Sequence, residues 1–248
     1  ATRLAQRAPR TEMPVVWPRV RVIGAFEVVD QSGTTARWTS RKAREALKIL
    51  VRRRGAPISR ESLMDLLWPG EDPGSLANRL SVALSTVRRA LDPGRTVPSG
   101  DLISTTVDSV ALNLDVVAVD VEELLEGTRA VLDQRSDGSV SRAAALLDLH
   151  RGEALPDEPH ADWASAIRGE VRVALTSLAR LVAADAEASS DHLRAVEAYN
   201  RILDLDPYDE EAGRGLAAAF RSMGAHGQAE AARATYTRRM AELGISVA

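Results

Sequence analysis

Between Leu76 and Leu91 the chain carries side chains suited to the edges of base pairs. At roughly 100° per residue on a helix, Leu76, Leu80, Ala83, Leu84, Val87 and Leu91 share one face. Asn78, Val82, Ser85 and Arg89 lie opposite, flanked by Arg79, Ser81, Thr86 and Arg88. Asn and Arg can bond bidentately to adenine and guanine edges, an exposed Val can touch a thymine methyl, and short Ser and Thr let the helix approach the major groove. No Asp or Glu occurs between Leu76 and Leu91, whereas a merely solvated helix face usually mixes both signs. Asn78, Arg79, Val82, Ser85, Thr86 and Arg89 are therefore the candidate base readers. Arg88 joins Arg41, Lys42 and Arg60, and Thr105 and Thr106 further on, as candidate phosphate contacts, which position a protein on a duplex without reading its sequence.

The charge distribution agrees. Up to residue 113 there are 18 Lys and Arg against 11 Asp and Glu, and beyond it 14 against 24, so a near-neutral total hides a basic half and an acidic half. Such a split fits nucleic-acid binding with a separate interaction surface, the plainer reading being ordinary surface variation. Lys42 and Lys48 are the only lysines, which points to a GC-rich coding sequence as much as to chemistry.

Other chemistries lack their residues. Zero Cys excludes disulfides, thiolate zinc sites and a Cys nucleophile, and fits a reducing compartment. His150, His160, His192 and His226 are far apart and form no metal-ligand pair. No P-loop, GxSxG or GxGxxG occurs, and Glu122-Glu123 and Glu210-Glu211 fall at helix starts, where acids complement the dipole. Catalysis and a cofactor are not expected. No run of about 18 apolar residues or signal-peptide core is present, so a soluble, cytoplasmic, nucleoid-associated protein without membrane contact is expected. Aromatics are only 4% of the chain, too few for a stacking RNA platform, and Trp17, Trp38, Trp68 and Trp163 read as core or linker packing.

The candidate readers need a scaffold, and periodicity supplies one. Residues 1–18 hold three Pro and no periodicity, a flexible tail. The first residue is Ala1 and not Met, which leaves open whether other domains precede it. Alternation from Arg19 to Val28, then Thr34 to Trp38, predicts short antiparallel strands around a turn at Gly33. A helix follows from Thr39 or Ser40, burying Ala43, Ala46, Leu47, Leu50 and Val51 and exposing Arg41, Lys42, Arg44, Lys48 and Arg52, until Gly55 and Pro57 stop it. A second helix, capped by Ser59 and stapled by Ile58 against Leu63, turns Leu63, Leu66 and Leu67 inward and ends at Trp68-Pro69. Pro69 to Ser75 reads as an acidic loop, and the third helix runs from about Ser75 to Leu91. Leu102 to Leu114 reads as a hairpin about Asp108-Ser109, a wing. From Asp115 the pattern is helical throughout, with stripes around 119–132, 139–149, 161–188, 191–204, 208–223 and 226–242. Ala195 and Ala229 are 34 positions apart and Pro207 lies between them, a tetratricopeptide-like spacing.

The predicted fold is mainly α: an N-terminal winged helix of small sheets plus three helices over 19–114, then an all-α tetratricopeptide-like domain over 115–248. In SRESLMDLLWPGEDPGSLANRLSVALSTVRRAL (Ser59 to Leu91), DVEELLEGTRAVL, DLDPYDEEA and YTRRMAELGI the chain resembles the Streptomyces antibiotic regulatory protein family, over about residues 19–245. Its first part looks like an OmpR-type winged helix and its second like the bacterial transcriptional activation domain. The resemblance implies an activator that binds double-stranded DNA at direct repeats near promoters as a side-by-side homodimer and recruits RNA polymerase holoenzyme through its sigma factor. It places the recognition helix at Ala77 to Leu91 and the polymerase-contacting loop at Pro69 to Ser75, with Glu71 and Asp72 as the contacting acids. Those acids would repel phosphates, so the loop is expected to point away from DNA, the plainer reading being that Asp72 or Ser75 caps the third helix. The wing departs from the family, with Ser104-Thr105-Thr106 and Val110-Ala111 where a Gly-Tyr pair is common. The competing reading is a protein-interaction or signalling module whose winged helix no longer binds DNA.

Overall fold

The computed structural model describes residues 17–133 and 138–246. Most of the expected tail, residues 1–16, lies outside them. Two three-stranded sheets and ten α-helices follow one another along the chain among the described residues.

β1 (Arg19–Arg21) and β2 (Glu27–Val29) pair antiparallel, Val20 opposite Val28. The turn at Gly33 forms as expected: Asp30 accepts from the N–H groups of Ser32 and Thr34, and Gly33 takes φ +82, a left-handed geometry that glycine adopts freely. The strand expected over Thr34 to Trp38 is reduced to a single bridge, Val29 to Thr35. Trp38 instead packs on Phe26, ring centres 5.8 Å apart.

α1 (Arg41–Arg52) starts at Ser40, whose hydroxyl accepts from the Ala43 N–H, and buries the expected stripe. Lys48 is a correction. Expected on the solvent face, it is buried: its side chain is 2% exposed and its Nζ lies 2.8 Å from both Asp157 and Glu158 of the second half. β3 (Ile58–Ser59) precedes α2 (Arg60–Leu67), whose cap is the Ser59 hydroxyl accepting from the Ser62 N–H. Leu63 and Leu67 are buried, whereas Leu66, also expected inside, is exposed.

α3 (Pro73–Leu91) begins two residues earlier than expected, with Asp72 at the cap and Pro73 at the first helical position, where a missing N–H costs nothing. The loop before it therefore shrinks to Trp68–Asp72. α4 (Ser99–Leu102) leads into β4 (Ile103–Thr105), which pairs antiparallel with β5 (Ser109–Leu112). β3 joins the other edge of β5, giving the order β3-β5-β4. Thr106 and Ser109 close the hairpin, so its tip is Val107-Asp108, one residue before the expected turn.

Beyond residue 115 the helices match the periodicity closely: α5 (Asp120–Asp133), α6 (Ser139–Leu149), α7 (Ser165–Ala188) after a 3-10 turn, α8 (His192–Leu205), α9 (Glu210–Ser222) and α10 (His226–Glu242). α8 and α10 start 34 residues apart, and Ala195 and Ala229 are buried at the same helical position in each. Between them, α9 approaches both neighbours at glycines. A Cβ on Gly215 would lie 2.3 Å from the Tyr199 ring, and one on Gly213 2.6 Å from the Tyr236 ring.

The expectation of helix alone after Asp115 misses β6 (Ala118–Val119), which pairs parallel with β1 and completes the order β2-β1-β6. A two-residue strand leaves no alternation to read. Past β6 the Asp120 carboxylate accepts from the N–H groups of Val22 and Ile23 at 2.9–3.0 Å. On the other side, Gly24 N–H donates to Glu153 O and Leu155 N–H to Val22 O. Ion pairs extend this junction: Arg19 to Glu123, Arg44 to Asp157, and Arg54 to Glu122 and Glu170. Burial would raise the Asp157 carboxyl, but Lys48 and Arg44 beside it bring it below the ordinary value.

Burial pushes the Asp120 carboxyl up to about 6, against the Ile23 and Val22 N–H groups that draw it down. The folded chain therefore takes up a proton at a pH where the unfolded chain does not. The stability from that uptake is fully present below about pH 4 and is lost as pH rises through about 6. Compared with Asp120→Asn, the wild type should gain up to about 3 kcal/mol between roughly pH 7 and pH 4, measured by urea unfolding of both chains across that range. A pH-independent difference would show that Asp120 stays ionised throughout.

Candidate nucleic-acid interface

α3 buries Leu76, Leu80, Ala83, Leu84, Val87 and Leu91, the whole predicted stripe. Ala77, Asn78, Arg79, Ser81, Val82, Ser85 and Arg89 are exposed, and Thr86 is half-buried. Val82 is 60% exposed, an apolar side chain on an otherwise polar face. The Ser81 and Thr86 hydroxyls donate back to the carbonyls of Ala77 and Val82, four residues earlier, leaving their lone pairs outward. The face is therefore shallow and uncharged along its middle, with Arg89 free at one end and Arg79, ion-paired with Glu71, at the other.

The candidate phosphate contacts divide. Arg41 is exposed, Lys42 pairs with Glu45 on its own helix at 2.9 Å, and Arg60 is half-buried where α2 meets the wing, its N–H donating to Asp108 O. Arg88 is already occupied. Its Nε donates to Ser99 O at 2.9 Å, and its Nη2 to Ile103 O at 2.9 Å and Thr105 Oγ1 at 2.7 Å, tying α3 to α4 and β4. Burial draws its pKa down. Thr105 is thus engaged by Arg88, and Thr106 Oγ1 accepts from the N–H groups of Asp108 and Ser109 inside the turn. What the wing offers outward is instead Val107, 89% exposed at its tip. Sequence spacing could not find these bonds, because Arg88 meets partners 11 to 17 residues away.

The two loop acids also separate. Glu71 is paired with Arg79, whose guanidinium lies 4.7 Å from the centre of the Trp68 ring. Asp72 is exposed and stands at the cap of α3, but its side chain makes no capping bond; Ser75 Oγ instead donates to Asp72 O. Arg79 is thus turned toward the loop rather than the middle of the outward face.

One basic residue lies at this face outside the expected contacts. Arg95 follows α3 and lines a cleft of about 450 Å³ with Ser85, Arg88, Arg89 and Ser99. The acid in this cleft, Asp92, accepts from Thr96 Oγ1 and the Val97 N–H. Arg95 holds φ +53, unfavourable for a non-glycine residue. A strained, exposed arginine beside two proposed base readers is a candidate phosphate contact, and its only signal in sequence was the Asp-Pro-Gly-Arg turn.

Comparison with known proteins bears on both halves. The family described as "Transcriptional regulatory protein, C terminal" matches residues 35–109, and that described as "Bacterial transcriptional activator domain" matches residues 119–248. The fold is similar to the solved structure titled "Mycobacterium tuberculosis EmbR in complex with low affinity phosphopeptide", with a TM-score of 0.70 and 20% identity, over 92% of this chain and 61% of that one. The chain thus spans about three-fifths of that structure's length. A search of the curated proteins finds no match.

Neighbouring arginines should behave oppositely. Arg88→Ala should lower stability by about 1–2 kcal/mol in chemical denaturation, since it unties α3 from β4 and leaves the part-buried Ile103 carbonyl without its donor. Arg89→Ala should leave stability unchanged and cost about 1–3 kcal/mol of discrimination between preferred and random duplexes. Equal stability of the two variants would refute the division. Arg95→Gly should keep or raise stability, because glycine accepts φ +53. It should also reduce the slope of log affinity against log salt by about 0.9. An unchanged slope would remove Arg95 from the interface.

Proposed function

The chain belongs to the family of the bacterial transcriptional activator domain, with an OmpR-type winged helix ahead of that domain as in the Streptomyces antibiotic regulatory proteins, and on that premise we propose that it is a sequence-specific activator. It is a transcriptional regulator with a DNA-binding winged helix, and not an enzyme. No helix among the described residues is long and apolar enough to cross a membrane. The finer reading has residues 19–114 binding direct repeats near promoters on the nucleoid as a side-by-side pair. Asn78, Val82, Ser85, Thr86 and Arg89 read bases, while Arg41, Lys42, Arg60 and Arg95 hold phosphates. The loop acids, Asp72 above all, and the helical region 115–248 face RNA polymerase and its sigma factor.

The observation that carries this reading is the outward face of α3: seven exposed positions between Leu76 and Leu91, none of them acidic. A face that only met water would have no reason to exclude carboxylates. One observation favours the alternative, a protein-interaction module. Arg88, Thr105 and Thr106 are all engaged within the domain, so the wing contributes little to DNA.

Selection of bound duplexes from a random-sequence pool, then transcription by polymerase holoenzyme from the selected site, tests the two. The expected outcome is a site with two direct repeats and transcription that depends on it. Asp72→Asn should retain occupancy and lose activation, because the Asp72 side chain makes no bond that α3 needs. A pool that yields no preferred sequence would establish the interaction module. Unchanged activation at equal occupancy by the variant carrying both Glu71→Gln and Asp72→Asn would move the polymerase contact to the helical region.

A further inference from the structure

Of the three guanidiniums on or flanking the outward face of α3, Arg88 is tied to the wing and Arg79 to the preceding loop. Two groups of that loop hold Arg79. Its Nη1 donates to the Glu71 carboxylate, and its guanidinium carbon lies 4.7 Å from the centre of the Trp68 ring. Trp68 is 5% exposed, a fixed platform. The Glu71 N–H donates to Trp68 O at 3.3 Å, so a backbone turn aims the carboxylate. Both partners of the pair remain nearly half exposed, Arg79 at 46% and Glu71 at 47%, and so within reach of a duplex.

We propose that Glu71 is a specificity-determining residue, an intramolecular competitor that keeps Arg79 from the phosphates of DNA at large. Non-specific binding is made of phosphate contacts, so masking one arginine weakens it directly. An exposed carboxylate and a stacked ring hold a guanidinium only weakly. Arg79 therefore passes to DNA where the base contacts of Asn78, Val82, Ser85 and Arg89 already seat α3 in the groove. The transfer releases the Glu71 carboxylate to a basic partner. By linkage, a partner that takes Glu71 tightens DNA binding. The proposal rests on the DNA-binding reading above and adds to it a coupling between the reading helix and the loop.

The test is binding of the full chain to a random-sequence duplex, followed by fluorescence anisotropy across a salt series, for the wild type, Glu71→Gln, Arg79→Gln and the double variant. Thermal melts establish that all four are folded. Glu71→Gln should bind about two- to five-fold tighter, with a salt slope steeper by about 0.9. In the Arg79→Gln background the same change should give no gain. An equal gain in both backgrounds would mean that the lost negative charge acts through space, and no gain in either would mean that Arg79 is not masked; each overturns the proposal. If neither the wild type nor Glu71→Gln binds the duplex at low salt, the DNA-binding reading fails and this inference with it, an outcome distinct from wild-type binding that Glu71→Gln leaves unchanged.

Discussion

The N–H groups of Val22 and Ile23 find their acceptor on a carboxylate 97 to 98 residues later in the chain. Buried N–H groups need a partner, and Asp120 provides it where β6 ends and α5 begins. One stretch of chain, from Pro18 to Gly24, is thereby gripped by β2 on one side and by β6, Asp120 and residues 153–155 on the other. Gly24 is part of the grip: at φ +76 it approaches Arg151 O so closely that a Cβ would lie 2.9 Å away. The winged helix and the helical region consequently share a sheet instead of hanging on a linker, and the orientation of α3 relative to α5–α10 is set by hydrogen bonds.

This junction changes the meaning of the charge split. A basic half and an acidic half suggest DNA on one side and a partner on the other, but part of each charge faces the other half of the same molecule. Arg19, Arg44, Lys48 and Arg54 meet Glu123, Asp157, Glu158, Glu122 and Glu170. Lys48 matters most, because its side chain is almost wholly buried, and removing the partners of a buried charge typically costs about 3–5 kcal/mol. The exposed pairs contribute far less each. For DNA there remain the basic residues outside this network, among them Arg41, Arg89 and Arg95.

A similar economy governs the recognition helix. Its inward stripe is tight and apolar, so the outward residues are presented by a rigid support. Arg88 then fastens the wing to it, and Glu71 with Trp68 draws Arg79 toward the loop. The surface offered to a groove is narrower than the residue types suggest: small polar side chains and one exposed valine, with Arg89 beyond them.

Repeating patterns were legible in the sequence. The 3.6-residue stripe of α3, the cap at Ser59 and the six helices after residue 115 follow from which residues are apolar and how they are spaced, since one buried face imposes one period. The acid-free face of α3 could be read the same way, because each outward position is fixed by its inward neighbours. Partners far apart in sequence were not legible. The two-residue β6, the burial of Lys48, the capture of Arg88 by the wing and the pairing of Glu71 with Arg79 leave no periodic trace. Each depends on where the fold brings a second group, and a basic residue looks the same in sequence whether it will face a phosphate or a carboxylate of its own chain.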